Sequence, residues 1–338
     1  MALRYVNTAS TAGGDGTTNA TSGANRAYAS LSEWEAARMT GTLSEIEEVI
    51  CEGSAADTTL CIVAGATTSS SFYPLIRTDT AGRHDGKWNT AKYRLSVSRS
   101  SNAVLEIQVN DCRVSGLQAE NTDTGNFDEV VSFTGSGVFY FEKSILRCDG
   151  VTGSNRLALN IGSAAVASTI RVYNNIIYGF ITTGSVGIFA DYGSDLYHVY
   201  NNTVYGCTQG FLFADDSGTL NLKNNIANGN TTDYVLGSYF GTIVSAKNIS
   251  EDTSSPNSAY RSLAVTFVNE AGKDFHLSAS DTAAKDAGDD LSVTFTDDID
   301  FTTRSGTWDI GADEIASVAA AALLFARTSP GSLARLRR

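Results

Sequence analysis

Gly187–Gly193 (G-I-F-A-D-Y-G) and Gly210–Asp216 (G-F-L-F-A-D-D) repeat one motif, aligned on Phe189/Phe213 and Asp191/Asp215. Carboxylates on adjacent strands would stand about 4.8 Å apart, with Asp216 beside them. Such a pair suits a retaining glycosidase or a Ca²⁺ site. The same aspartates also open turns, A-D-Y-G-S and A-D-D-S-G, in which each would accept a local backbone hydrogen bond. An acidic group between Asp286 and Asp313 offers Ca²⁺ ligands, or turn formers that pair with Arg304. His84, His198 and His276 are far apart in sequence and form no local motif; His198 reads as an outward strand residue. Tyr173/Tyr200 and Tyr178/Tyr205 recur in step, as a sugar platform or as packing in the core or at a subunit contact.

A stronger repeat must position these groups. Arg171–Gly179 reads R-V-Y-N-N-I-I-Y-G, His198–Gly206 reads H-V-Y-N-N-T-V-Y-G and Asn221–Gly229 reads N-L-K-N-N-I-A-N-G. The pairs Asn174-Asn175, Asn201-Asn202 and Asn224-Asn225 recur at steps of 27 and 23 residues, with a weaker copy at Ser245–Ser250. Lys143–Leu146 and Asp111–Val114 are read in the same frame. A period in the twenties, with short alternating strands cut by Asn and Gly, marks a solenoid. No helical pattern separates the strands, which disfavours βαβ units. One Asn of each pair can take the left-handed conformation that turns the chain. Asn at one place on successive coils can also build a ladder of side-chain amides.

Composition agrees. A solenoid can absorb all 338 residues, and 42% hydrophobic, 18% charged, 31 Gly and 3 Pro suit strands and turns. A net charge of −13 argues against nucleic-acid binding. It also disfavours polyanionic glycans except at a local basic groove. Cys51, Cys61, Cys112, Cys148 and Cys207 are scattered without C-x-x-C and read as buried core thiols, with a Cys51–Cys61 bridge open only to an oxidising compartment. The opening M-A-L-R-Y-V-N-T lacks an apolar h-region, so no signal peptide is expected. No run approaches about 20 apolar residues, so no membrane span is expected.

In chain order, Ala29–Met39 predicts a helix with a Ser30/Glu33 capping box, placed to close the first coil. Thr59–Ala64 predicts the first buried strand, and Ser71–Lys92 a long basic loop between coils. The segments are then 1–58 (strand, loop and capping helix), 59–265 (coils), 266–315 (closing segment) and 316–338 (an apolar, Arg-rich tail). Y-V-N-T-x-x-x-x-G-G-D-G-T at Tyr5–Thr17, F-V-N-E-A-G-K-D-F-H-L-S at Phe267–Ser278 and W-D-I-G-A-D-E at Trp308–Glu314 resemble the opening and closing segments of pectate-lyase-like β-helix proteins. The resemblance implies an all-β, right-handed parallel β-helix of about eight or more coils, with an N-terminal capping helix and a C-terminal cap. Proteins of this kind include pectin and alginate lyases, glycoside hydrolases, phage tail spikes and passive capsid or surface proteins. The G-H-G and R-I-K motifs of polygalacturonases and the R-x-P-x-x-R of pectate lyases are absent.

These features point to a non-catalytic structural protein of a bacteriophage virion: a capsid decoration, fibre or spike component on the virion surface. The expected partners are two sister chains in a homotrimer, a capsid or tail protein, and a cell-surface glycan. Leu323, Leu324, Phe325, Arg327, Arg335, Arg337 and Arg338 would form the assembly tail. No cofactor is expected, with Ca²⁺ the one candidate. The alternative is a polysaccharide lyase or glycoside hydrolase acting on a surface glycan through Asp191, Asp215 and Asp216.

Overall fold

A computed structural model describes residues 1–315, apart from 163–167, 192, 194, 215, 216 and 239. Three parallel sheets of nine, eight and seven strands wrap one core in about seven turns, rather than eight or more. One turn shows why. Leu196–Tyr200 lies in the first sheet, Asn201 and Asn202 turn the chain, Thr203–Tyr205 joins the second sheet, and Gln209–Phe213 joins the third. Alternation sends Tyr197, Val199, Val204, Phe211 and Phe213 inward, all fully buried. Leu196–Tyr200 pairs in register with Thr169–Tyr173 and with Thr219–Lys223.

The two asparagines of each pair do different work. The first, Asn174, Asn201 or Asn224, sits at φ 55°, 52° or 54°. That left-handed conformation costs Asn less than most residues, because its short polar side chain bonds locally. The second points into a ladder: Asn175 Nδ2 donates to Asn202 Oδ1 (2.9 Å), Asn202 to Asn225 (3.0 Å) and Asn225 to Asn248 (2.9 Å). Asn257 Oδ1 ends it by accepting from Asn248 Nδ2 at 2.8 Å.

Several expectations shift. The coils begin before residue 59: Ala2–Asn7 pairs with Glu47–Glu52, and Glu47–Glu52 with Pro74–Arg77. Pro74–Arg77 is therefore a strand inside the segment read as a basic loop, and Arg77 is spent on Glu48. The turn residue equivalent to Lys143 is Gly116 (φ 76°), not Asp111, since Gly116 N donates to Glu142 O. The helix runs Leu31–Arg38 with Ser30 as its cap, and buries Leu31 and Trp34 against the first coils. All five cysteines are free and buried, Cys51 and Cys61 included.

The C-terminal segment runs back along the flank as a strap. Its hairpin, Phe267–Asn269 with Asp274–Leu277, and residues Ala284, Ile299 and Ile310 cover Ile145, Ile176, Ile226 and Ile249 of the second sheet. The first asparagines hold it: Asn174 Nδ2 donates to Asp297 O, Asn201 Nδ2 to Asp309 O and Gly311 O, and Asn224 Nδ2 to Asp289 O, at 2.9–3.1 Å. At its far end, His276 stands between Asp274 (Nδ1, 2.5 Å) and Asp300 (Nε2, 3.0 Å). Asp300 above all, against some desolvation, raises the imidazole to about 10. The folded value exceeds the ordinary 6.5, so this contribution is full below pH 6.5 and is lost as pH rises through about 10. Denaturant melts should show a decline of order 2 kcal/mol across that window, allowing for partial exposure. His276→Gln should flatten it; an unchanged slope would remove His276 as the cause.

Candidate functional site

The outward row of the first sheet carries Leu75, Arg113, Tyr140, Arg171, His198 and Asn221 on successive strands. Beside it runs Glu142, Tyr173, Tyr200 and Lys223. Parallel register stacks Tyr173 on Tyr200 with centroids 5.4 Å apart and planes 4° apart. Phe295 of the strap stacks on Tyr173 from outside at 5.0 Å. Arg113 lies over both Tyr73 (4.2 Å) and Tyr140 (4.5 Å), and Arg171 over Tyr140 (4.9 Å). An open groove of about 310 Å³ lies here, walled by Tyr140, Arg171, Tyr173, His198 and Tyr200, with Val293 and Thr294 of the strap as its rim.

The electrostatics of this groove oppose those of the whole chain. No carboxylate lines it among the described residues, in a protein of net charge −13. Burial, then Arg171 and Lys223, depress His198 to about 4. Burial pushes Tyr200 up to about 12. His198 Nδ1 and Tyr200 Oη share a hydrogen bond of 2.8 Å. Neither group changes charge near neutral pH, which suits a hydrogen-bonding surface better than proton transfer. Two buried polar atoms, Arg171 Nη1 and Tyr173 Oη, have no hydrogen-bond partner among the described residues. An unmatched buried donor costs about 1–3 kcal/mol, more when charged, so such atoms mark where a partner is missing.

Of the three carboxylates read from the sequence as one site, Asp191 alone lies among the described residues. Strand register sets Phe189 opposite Leu212, and Ala190 opposite Phe213. Asp191 follows its strand, half-buried, while Asp215 and Asp216 lie outside the described residues. So do Leu323, Leu324, Phe325, Arg327, Arg335, Arg337 and Arg338 of the tail. In the C-terminal acidic group, His276, Asp300 and Asp313 alone among the described residues bring three ligand-type side chains within 4.8 Å. Asp313 also accepts from Leu277 N (2.7 Å), so the cluster stands as an ion network of the strap. Asp298, Asp281 and Asp309 accept from backbone N–H groups at turns. His84 is buried, bonded to Lys143 O (3.0 Å), and held near 4 by desolvation. His198 and Arg171 were legible as outward strand residues. Tyr140 and Arg113 were missed, because their coils carry no Asn pair.

No helix among the described residues is long and apolar enough to cross a membrane. No family model and no curated protein matches this chain. Among solved structures it is similar to the pectate lyase Pel9A at 15% identity and a TM-score of 0.33, over 93% of this chain and 96% of that one. The strand pairing alone therefore establishes the fold: the chain is a parallel β-solenoid.

Proposed function

We propose that the chain is a non-catalytic, glycan-binding β-helix, whose first-sheet groove takes an acidic glycan. The observation that carries this is the carboxylate-free, tyrosine-walled groove with unpaired Arg171 Nη1 and Tyr173 Oη. Tyrosine hydroxyls can exchange hydrogen bonds with the hydroxyls of a sugar. A guanidinium matches a planar carboxylate with two parallel hydrogen bonds. A virion surface, where the sequence reading sets the chain, is one place for such a receptor-binding solenoid to work.

Titration calorimetry against acidic and neutral oligosaccharides tests the reading. Arg171→Gln should weaken acidic ligands about tenfold or more. Tyr173→Phe deletes only the unpaired hydroxyl, so affinity should fall several-fold while thermal stability holds or rises. Affinity should stay flat from pH 5 to 9, since His198 charges only near 4 and Tyr200 only near 12. An acidic panel that gives no binding would sink the proposal. Product release abolished by Asp191→Asn would replace it with the enzyme reading.

A further inference from the structure

Arg113 and Arg171 stand two strands apart in the outward row of the first sheet, with Tyr140 on the strand between them. Parallel register therefore sets one guanidinium on each side of that ring, Arg113 at 4.5 Å from its centre and Arg171 at 4.9 Å. The two charges lie about 9 Å apart at most, close to the two strand spacings that separate their backbones. Tyr73, from the preceding coil, lies against Arg113 at 4.2 Å. A ladder of alternating rings and cations thus runs along the solenoid axis, from the groove at Arg171 towards the N-terminal coils.

Neither cation is matched by a carboxylate. Arg77, Arg147, Arg156 and Arg304 of the coils and strap are each spent on an acidic side chain. Among the described residues no ion pair reaches Arg113 or Arg171, although both are half-buried. The acids around them are engaged elsewhere. Glu142, on the neighbouring row, is held by Lys143 (3.6 Å) and by Ser115 Oγ (3.2 Å). Asp111 accepts from Val138 N at 3.1 Å. Stacking on tyrosine uses only the faces of a guanidinium. Its N–H donors lie in the plane, at the edge, and can still fork onto an anion.

Resting on the acidic-glycan reading of the groove, we infer that Arg113 and Arg171 are paired anchors for a glycan that lies along the solenoid axis and carries an anionic group on every second sugar. The spacing selects this class. One unit of an extended sugar chain advances by about one strand spacing, roughly 5 Å. Anions on alternate units therefore recur at about the separation of the two guanidiniums. An anion on the unit between them would face Tyr140, which offers no charge. The second anchor engages at the effective concentration that the first one sets, so the pair binds more tightly than either cation alone. Arg113 is then a specificity residue, which counts the anions of the ligand, while Arg171 serves any acidic unit in the groove.

The test is calorimetry on the full chain with hyaluronan di- and tetrasaccharides, which carry one carboxylate and two carboxylates on alternate units. The tetrasaccharide should bind about tenfold or more tightly than the disaccharide. Arg113→Gln should remove that advantage and leave the disaccharide within about twofold of wild type. Arg113→Lys keeps the charge and the stem but loses the planar fork, so it should retain part of the advantage. Arg171→Gln should weaken both ligands. Tetragalacturonate, charged on every unit, should bind no more tightly than the hyaluronan tetrasaccharide. If the tetrasaccharide gains nothing over the disaccharide, or keeps its gain in Arg113→Gln, the pairing is wrong and the groove reading stands. If tetragalacturonate binds and neither hyaluronan ligand does, the alternating class is wrong and an acidic glycan is still the occupant. If no acidic ligand binds, both fall.

Discussion

Arg304→Met should lower the stability of the fold by about 3–5 kcal/mol, as expected when one partner of a buried ion pair is removed. The Arg304 side chain is fully buried. Its guanidinium donates to Glu314 Oε2 (3.0 Å), to Asn174 Oδ1 (2.9 Å), and to the carbonyls of Gly311 (2.8 Å) and Ala312 (3.0 Å). It thus ties the end of the strap both to itself and to a coil more than a hundred residues earlier. Methionine would fill much of the volume but strand a buried carboxylate and several carbonyls. Arg304→Lys keeps the charge without the planar fork, so its loss should be intermediate. The damage should be local at first. Hydrogen exchange should speed up through residues 290–315 before the coils respond. Glycan affinity should drop with it, because Val293 and Thr294 rim the groove and Phe295 covers Tyr173. Equal denaturant midpoints for Arg304→Met and wild type would show that the strap is not integral to the fold.

The sequence revealed most where one local conformation repeats. The Asn pairs announced both the turn and the ladder, because left-handed geometry and amide laddering each favour the same residue type. Lys143 and Lys247 hold the same turn at φ 51° and 53° without that signal. The earlier coils were harder to frame for this reason, and Asp111 was taken for the turn residue that Gly116 supplies. The Phe-Ala-Asp motif misled in another way. Aligning Phe189 with Phe213 slips the true register by one residue, and in a strand one residue exchanges the faces. Phe213 is in the core, whereas Phe189, opposite Leu212, is not. The path of the strap had no periodic signature. It depends on contacts such as Asn201 with Asp309, which only the folded register brings together. The groove needed both the strap and the register, so its tyrosines were legible singly but not as a site.

Asn202→Leu should be the most damaging change within the ladder. Asn202 Nδ2 donates to Val172 O (2.8 Å), Tyr200 O (3.1 Å) and Asn225 Oδ1 (3.0 Å). Its Oδ1 accepts from both Nδ2 and the backbone N–H of Asn175, at 2.9 and 3.0 Å. Leucine matches the size but leaves these buried groups without partners. Two or three of them at about 1–3 kcal/mol each predict a loss of order 4 kcal/mol. Asn201→Gly is the control. Glycine accepts the positive φ, so the backbone stays unstrained and the losses are the bonds to Asp309 and Gly311 and the one accepted from Asn224 Nδ2, at a cost of about 2–3 kcal/mol. The two variants should also unfold differently. In a solenoid each coil is stabilised by its neighbours, so a break in the middle uncouples the coils on either side. Asn202→Leu should therefore broaden or split the denaturant transition, while Asn201→Gly should shift it without changing its shape. A single sharp transition within 1 kcal/mol of wild type for Asn202→Leu would mean that the ladder follows from the coils rather than helping to hold them.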